Sequence, residues 1–173
     1  MREDEDRTLP RLFTTPTSRS AILSGKFLAV FLTVLVQIVT LLFAARLIFG
    51  IDWGEPLSVA MVAAGVILTA STFGIFVNSL LKDTRQGGMI FGGVLTVTGM
   101  LGMIRIFAMN APGAARIGDT VGLLVPQGWA VRGLLGALNH QPPSEVLPEL
   151  LVMLAWSSIF FALGVWRFRA RYG

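Results

Sequence analysis

The sequence predicts an all-α membrane protein, and its composition leads to that prediction. Apolar residues make up 54% of the 173 residues, charged residues only 14%, and the mean hydropathy is +0.72. A soluble domain carries about 25% charged residues, and a disordered chain is rich in charge and poor in apolar residues. Both classes are therefore excluded, and the long apolar stretches described below favour four transmembrane helices.

The polar N-terminal segment, residues 1–26, precedes the first apolar stretch and is predicted to be cytoplasmic. Leu9, Leu12 and Phe13 follow the spacing i, i+3, i+4, which places them in one apolar stripe on a short helix. Acidic residues precede this stripe, and negative charge is favourable at a helix N-terminus. Ser18 can cap the helix that follows. The segment is therefore either an anchor on the membrane surface or a docking element for a cytoplasmic partner.

Four apolar stretches are long enough to cross a membrane, because 20 helical residues span a hydrocarbon core of about 30 Å. We expect the four spans at about residues 27–51, 57–81, 87–109 and 147–166. Together with the segment between the last two spans, they form one transmembrane domain over residues 27–173.

The apolar segment 121–138 is shorter and is interrupted by Pro126, Gly128 and Arg132. A full crossing is disfavoured, because a charge at mid-bilayer costs about 2.5–3.5 kcal/mol on insertion scales. We therefore expect a short re-entrant or interfacial helical segment at the outer face. Arg132 has two interpretations, a contact with an anionic substrate or an interfacial anchor, and the anchor is the simpler one.

Polar and small residues inside the spans also have two interpretations each. Gln37 lies in the middle of the first span, where it either contacts substrate in a cavity or forms an interhelical hydrogen bond. The third span is rich in glycine, which indicates either close helix packing or a conduit. Its glycines are Gly87, Gly88, Gly92, Gly93, Gly99 and Gly102.

The positions of lysine and arginine predict the orientation, because cytoplasmic loops carry the excess of positive charge. One group of basic residues falls on one side of the predicted spans: Arg2, Arg7, Arg11, Arg19, Lys26, Lys82, Arg85, Arg167, Arg169 and Arg171. The remaining basic residues fall on or near the other side: Arg46, Arg105, Arg116 and Arg132. Both termini are therefore expected in the cytoplasm, and the basic character points to membrane lipid as a partner rather than nucleic acid.

Few residues are available for catalysis or for binding a cofactor. The chain has no cysteine and a single histidine, His140, which excludes thiol chemistry and paired-histidine metal sites. A P-loop requires Gly-Lys followed by Ser or Thr, whereas Gly25-Lys26 is followed by Phe27. We therefore expect no catalytic, cofactor-binding or metal-binding residues, and thus no enzyme activity in this chain.

Three stretches together resemble the ABC-2 type permease family. The first is EDRTLPRLFTTPTSRSAILSGK over residues 5–26, where Arg7 stands at a position that is often Gly in the family. The second is GIFVNSLLKDTRQG over residues 74–87, and the third is PQGW over residues 126–129. They occur in the family's order, and the resemblance runs over nearly the whole chain.

This resemblance implies that the N-terminal stretch is a coupling helix that docks on an ABC ATPase subunit. The implied coupling residues are Thr8, Leu9, Arg11, Leu12, Phe13, Thr15, Pro16 and Ser18. The chain would then be a permease subunit of an ATP-driven exporter in the prokaryotic inner membrane, with ATP on the ATPase and a second permease as partner. The resemblance also implies two further spans before the coupling segment in a full permease, so we expect either a permease subunit or the C-terminal part of one. The alternative is a four-span scaffold or assembly protein that does not transport.

Overall fold

The computed structural model describes residues 19–80, 84–107 and 120–172, and these residues are almost entirely helical. The described helices are α1 (Arg19–Phe49), α2 (Pro56–Leu80), α3 (Thr84–Phe107), α4 (Pro126–Leu138) and α5 (Pro143–Tyr172). A 3-10 turn, Gly122–Leu124, precedes α4. The described part contains no strand, and the all-α fold class is confirmed.

Four of these helices have the length and apolar composition to cross a membrane. The candidate spans are Ser24–Phe49, Pro56–Leu80, Gly87–Phe107 and Pro143–Arg167. The remaining helix, α4, has 13 residues and is about 20 Å long at 1.5 Å per residue, which is too short to span. The sequence therefore predicted both the four long helices and the short one between the last two.

Helices α2 and α5 form the centre of the bundle and run parallel, in contact along their length. Gly65 of α2 lies against Met153, where an added Cβ would be 2.6 Å from the Met153 methyl carbon. One turn further along, the Thr69 hydroxyl donates a hydrogen bond to the Met153 carbonyl, at 3.0 Å. Two turns beyond Gly65, the Thr72 and Ser157 hydroxyls are 3.2 Å apart. Small and hydroxyl-bearing residues thus allow close approach and bond across the interface, as is common in lipid.

Helices α1 and α3 lie at the periphery of this pair. Helix α1 packs against α2, and its Phe27 ring meets Phe161 of α5 at 6.0 Å between centroids. Helix α3 packs mainly against α4 and the 3-10 turn. In α3, Gly102 is in close contact with the cap, whereas an added Cβ at Gly88, Gly92, Gly93 or Gly99 would meet nothing within 4 Å. Of these five glycines, Gly102 is therefore the one that packs closely against another described element.

The 3-10 turn, α4 and the following turn, residues 122–142, form a structure that we call the cap. The turn between α1 and α2 packs against the cap. Gly54 of this turn, at φ 77°, lies so close to the Ala137 carbonyl that a Cβ would not fit. The Ser58 hydroxyl at the start of α2 donates to the Gln141 carbonyl at 2.9 Å. The cap therefore lies at the end of the bundle where α1 and α3 end and α2 and α5 begin.

Candidate functional site

The residues predicted to couple to an ATPase fall outside the described part of the chain. These are Thr8, Leu9, Arg11, Leu12, Phe13, Thr15, Pro16 and Ser18. Their role stays a prediction. Helix α1 begins directly after them at Arg19, so the predicted coupling segment and the first span adjoin in sequence.

The cap is the part of the described molecule in which polar side chains converge, and its first contact is with α3. The Gln127 amide donates to the Thr98 hydroxyl of α3 at 2.9 Å. Gly102 of α3 lies so close that an added Cβ would be 2.8 Å from the Gly128 backbone nitrogen. The side-chain oxygen of Gln127 is buried without a hydrogen-bond partner among the described residues. A side-chain hydrogen bond and close contacts at Gly102 and Gly122 therefore join the cap to α3.

The 3-10 turn is bound to α4 as one unit. The Trp129 indole N–H donates to the Leu123 carbonyl at 2.8 Å. Gly128 lies directly against the Gly122 carbonyl and leaves no room for a Cβ. Pro126 occupies the first turn of α4, where the missing N–H needs no partner. The PQGW sequence thus builds a tight reversal that presents Gln127 to α3.

The second contact of the cap is an apolar one with α2 and α5. Val62, Val146 and Met153 form the buried cluster, and Trp129 and Leu134 of α4 pack against it. Gly133 makes this approach possible, because an added Cβ would be 3.0 Å from Val62 and 3.4 Å from the Cβ of Glu149. The cap is therefore seated on the α2–α5 pair by buried apolar side chains.

An ion pair accompanies this apolar contact. The Arg132 Nε lies 3.0 Å from Oε1 of Glu149, and the Glu149 side chain is only 6% exposed against 45% for Arg132. The Arg132 guanidinium carbon also lies 5.6 Å from the Trp129 ring centroid, within the range of a cation–π interaction. Glu149 Oε2 is buried and has no hydrogen-bond partner among the described residues.

Neither sequence interpretation of Arg132 anticipated this ion pair. An arginine in an apolar segment was interpreted on its own, as an anchor or an anion contact, because its partner lies in the next helix beyond a proline-rich turn. The available signal was Glu149 itself, the acidic residue inside a predicted span. A buried carboxylate in a membrane protein requires a partner of opposite charge, and Arg132 is the basic residue in the neighbouring apolar segment.

Gln37 is exposed on α1, and no described residue forms a hydrogen bond with it. Thr33 and Thr40, one turn before and after, are exposed as well, and the Thr33 hydroxyl donates within its own helix to Ala29 at 2.8 Å. The three residues follow the spacing of one helix face. The role of Gln37, in a cavity or in an interhelical hydrogen bond, therefore stays a prediction.

His140 and Asp52 meet at the outer edge of the cap, with His140 Nε2 3.8 Å from Asp52 Oδ2 and both side chains largely exposed. His140 follows α4 at φ 58°, in the reversal that leads to α5. Among the described residues, no group of three or more His, Cys, Asp or Glu could hold a metal ion. The described contacts of the cap thus position α2, α3 and α5 relative to one another.

Comparison with known proteins identifies the family of this chain. The family model described as "ABC-2 family transporter protein" matches residues 1–166. The chain belongs to the ABC-2 transporter family. Its sequence resemblance to the ABC-2 permeases is thereby confirmed, and with four helices able to cross a membrane this ABC-2 chain is an integral membrane protein.

A curated relative of this ABC-2 chain is the linearmycin resistance permease protein LnrN of Bacillus subtilis (strain 168). The two are 27% identical over 165 residues, which cover 92% of this chain and 41% of the relative. The chain thus spans less than half the length of that relative. No solved structure matches this chain.

Proposed function

We propose that this ABC-2 chain is the permease subunit, or the C-terminal part of one, of an ATP-driven exporter. ATP is hydrolysed on a partner ABC ATPase, and this chain converts the movement of that partner into alternating access across the membrane. The observation that carries the proposal is the match to the ABC-2 family over residues 1–166, on a bundle of four helices long enough to span.

Export is the proposed direction, and the relative's name supports it. A permease that confers resistance to a compound does so most directly by removing that compound from the cell, and LnrN is named for linearmycin resistance. The proposed function therefore includes outward movement of a substrate. The substrate of this chain is left open, because no charged cluster lines the described spans.

The placement of α1 supports the proposed coupling route. Helix α1 begins at Arg19, directly after the predicted coupling residues, so a displacement of that segment acts on α1 first. Helix α1 packs on α2, and α2 packs along α5. Movement of the ATPase would thus reach the central pair of helices through α1.

A second permease subunit is part of the proposal, and the exposed faces of α1 and α3 support it. In the 18-residue window that identifies each span, 0% of the α1 residues and 6% of the α3 residues are buried. An exposed amide such as Gln37 in mid-membrane is more stable when it bonds to another helix or lines a hydrated cavity. Both situations arise where two permease subunits meet.

The decisive experiment addresses the coupling segment. Leu12→Glu places a charge in the predicted apolar stripe of Leu9, Leu12 and Phe13, each of which contributes about 1.5–3 kcal/mol when buried. We expect the variant to insert in the membrane but to lose co-purification with the ATPase. Thr14→Glu is the matched control, because it adds the same charge on the opposite side of the predicted helix and should leave the pull-down intact. Unchanged pull-down and ATPase stimulation by Leu12→Glu would mean that the segment is only a surface anchor.

The proposed orientation, with both termini in the cytoplasm, has its own test. The chain contains no cysteine, so Asp52→Cys and Arg85→Cys each introduce a unique thiol without further changes. We expect a membrane-impermeant maleimide to label position 52 from outside intact cells and position 85 only after permeabilisation. Labelling of position 85 in intact cells would refute the orientation.

A further inference from the structure

We propose that the cap and the α2–α5 pair move as one body during transport, and that α3 slides against the cap at the contact between Gly102 and Gly128. The hydrogen bond between Gln127 and Thr98 is the link that opens. This inference rests on the proposed function, because it assigns the moving contact within an ATP-driven permease. It concerns the end of the bundle opposite the predicted coupling segment.

The contact between the cap and the α2–α5 pair has the properties of a fixed interface. Val146 and Met153 are each 1% exposed and Ala137 is fully buried. The Arg132–Glu149 ion pair lies beside them, and its separation would leave an almost fully buried carboxylate without a counter-charge. Separating a buried ion pair in this way is strongly unfavourable.

Backbone contacts further fix the cap on this side. The Ser58 hydroxyl of α2 bonds to the Gln141 carbonyl, and Gly54 lies against the Ala137 carbonyl. Gly136 lies against the Gln141 side chain, which closes the turn between α4 and α5. Charged, apolar and backbone contacts thus all join the cap to α2 and α5.

The contact between the cap and α3 has different properties. Its specific bond is the Gln127–Thr98 hydrogen bond, which joins two neutral groups, and the Gln127 oxygen is unpartnered. At Gly102 an added Cβ would lie 2.6 Å from the Gln127 Cβ and 2.8 Å from the Gly128 backbone nitrogen, so no side chain of α3 stands between the two backbones at this point. Shear, the small sliding of packed helices past one another, is one of the common kinds of conformational change.

Among the described residues, α3 packs little against helices other than α4. It packs mainly on the cap, and towards its N-terminal end the Phe91 ring meets Phe73 of α2 edge to face at 6.0 Å. At the interface with α2 and α5, Glu149 Oε2 also has no partner among the described residues. There, however, the Arg132–Glu149 ion pair and the buried apolar cluster still join the cap to these helices. The weaker of the two cap interfaces is therefore the one with α3.

Two cysteine pairs, each a glycine and a β-branched residue, test this inference. Ile104→Cys with Gly122→Cys joins α3 to the cap, where an added Cβ at Gly122 is 3.5 Å from the Ile104 side chain. Val62→Cys with Gly133→Cys joins α2 to the cap, where the corresponding distance is 3.0 Å. Neither pair alters Arg132, Glu149, Gln127 or Thr98, and the native chain has no competing thiol.

The measurement is the rate of oxidative cross-linking in the complex of permease and ATPase, reconstituted in liposomes. The nucleotide-free state is compared with the state trapped by ATP and vanadate. We expect trapping to slow cross-linking of the 104/122 pair about tenfold, the population change that about 1.4 kcal/mol produces, and to leave the 62/133 pair unchanged. Oxidation should also abolish stimulated ATPase activity in the 104/122 pair only, with recovery on reduction.

The outcomes separate this inference from the proposed function. Slower cross-linking of the 62/133 pair on trapping, or an unaffected 104/122 pair, overturns the inference while ATP-dependent trapping itself upholds the proposed function. If the wild-type chain forms no complex with an ATPase that vanadate traps, the proposed function fails and the inference fails with it. The four single-cysteine variants are the controls for cross-linking, and they should form no cross-link within the chain.

Discussion

Helices α2 and α3 both carry small residues at helical spacing, but the two helices use them differently. Gly65, Thr69 and Thr72 of α2 face α5, where they allow close approach and bond across the interface. An added Cβ at Gly88, Gly92 or Gly99 of α3 would meet nothing within 4 Å. In the spanning windows of α2 and α3, 39% and 6% of the residues are buried. Small residues thus indicate that a helix can pack closely, and the location of its partner requires other information.

The cap provides the sharpest test of this contrast, because it joins the tightly packed pair to the exposed helix. Arg132→Ala leaves Glu149 almost fully buried without its counter-charge. We expect a loss of about 3 kcal/mol in unfolding free energy, at the low end of the range for a broken buried ion pair because Arg132 is half-exposed. The measurement is SDS-induced unfolding of the purified chain in mixed micelles.

A double variant separates the charge from the packing in that experiment. Arg132→Met with Glu149→Leu removes both charges and keeps most of the volume, and such exchanges of a buried pair are often neutral. We expect the double variant to unfold within about 1 kcal/mol of the wild type. Equal destabilisation by the single and double variants would show that shape, and not charge, holds the cap on α5.

The glycines of α2 and α3 give the next largest expected effect. Gly65→Leu forces a side chain into Met153, and overpacking of this kind costs about 1–3 kcal/mol. Gly92→Leu is the matched control, because the same change on α3 meets open space and should leave the unfolding free energy of the isolated chain unchanged. A comparable loss in both variants would contradict the contrast between the two helices.

The same Gly92→Leu variant tests, in the assembled transporter, whether the exposed face of α3 contacts a second permease. If the exposed face of α3 is covered by a second permease, the substitution should reduce dimer formation while the isolated chain stays stable. Size-exclusion chromatography with light scattering on the complex provides that measurement, and an unchanged dimer would place the second subunit elsewhere.

Much of the fold could be predicted from the sequence, because backbone polar groups in lipid have no water to bond to and must form hydrogen bonds within the chain. Long apolar stretches must form helices in lipid, so the four long helices followed directly from the pattern. The short helix α4 followed from Pro126, Gly128 and Arg132, which make a full crossing unfavourable. These conclusions depend on local sequence, and local sequence was sufficient for them.

The packing of the cap could not be predicted in the same way, because it depends on which elements meet in space. The bond between Gln127 and Thr98 and the pair of Arg132 and Glu149 each join residues from different helices. Composition treats these residues one at a time, and Arg132 alone suggested an interfacial anchor or a contact with an anionic substrate. The coupling residues near Leu12 could be predicted only from the resemblance to the family, and their role stays a prediction.

Two glycines at positive φ give a smaller and more local comparison. Gly54 and Gly50 adopt φ of 77° and 65° in the turn between α1 and α2. Alanine at either position is strained by about 1 kcal/mol, the order of the left-handed penalty. Only Gly54→Ala also collides with the Ala137 carbonyl of the cap, so we expect it to unfold more readily than Gly50→Ala. Equal stability of the two variants in SDS titration would mean that the turn does not support the cap.

The smallest expected effect comes from removing one threonine hydroxyl, either from α2 or, as a control, from α1. Thr72→Val removes the hydrogen bond to Ser157, and interhelical bonds of this kind in membranes are worth about 0.6 kcal/mol on average. Thr33→Val on α1 is the matched control, since the Thr33 hydroxyl bonds to Ala29 of its own helix and its loss removes no bond between helices. Because the expected difference is small, the measurement is a double-mutant cycle of Thr72→Val with Ser157→Ala in SDS unfolding. A coupling energy near zero would mean that the contact between the Thr72 and Ser157 hydroxyls adds no stability to the interface between α2 and α5.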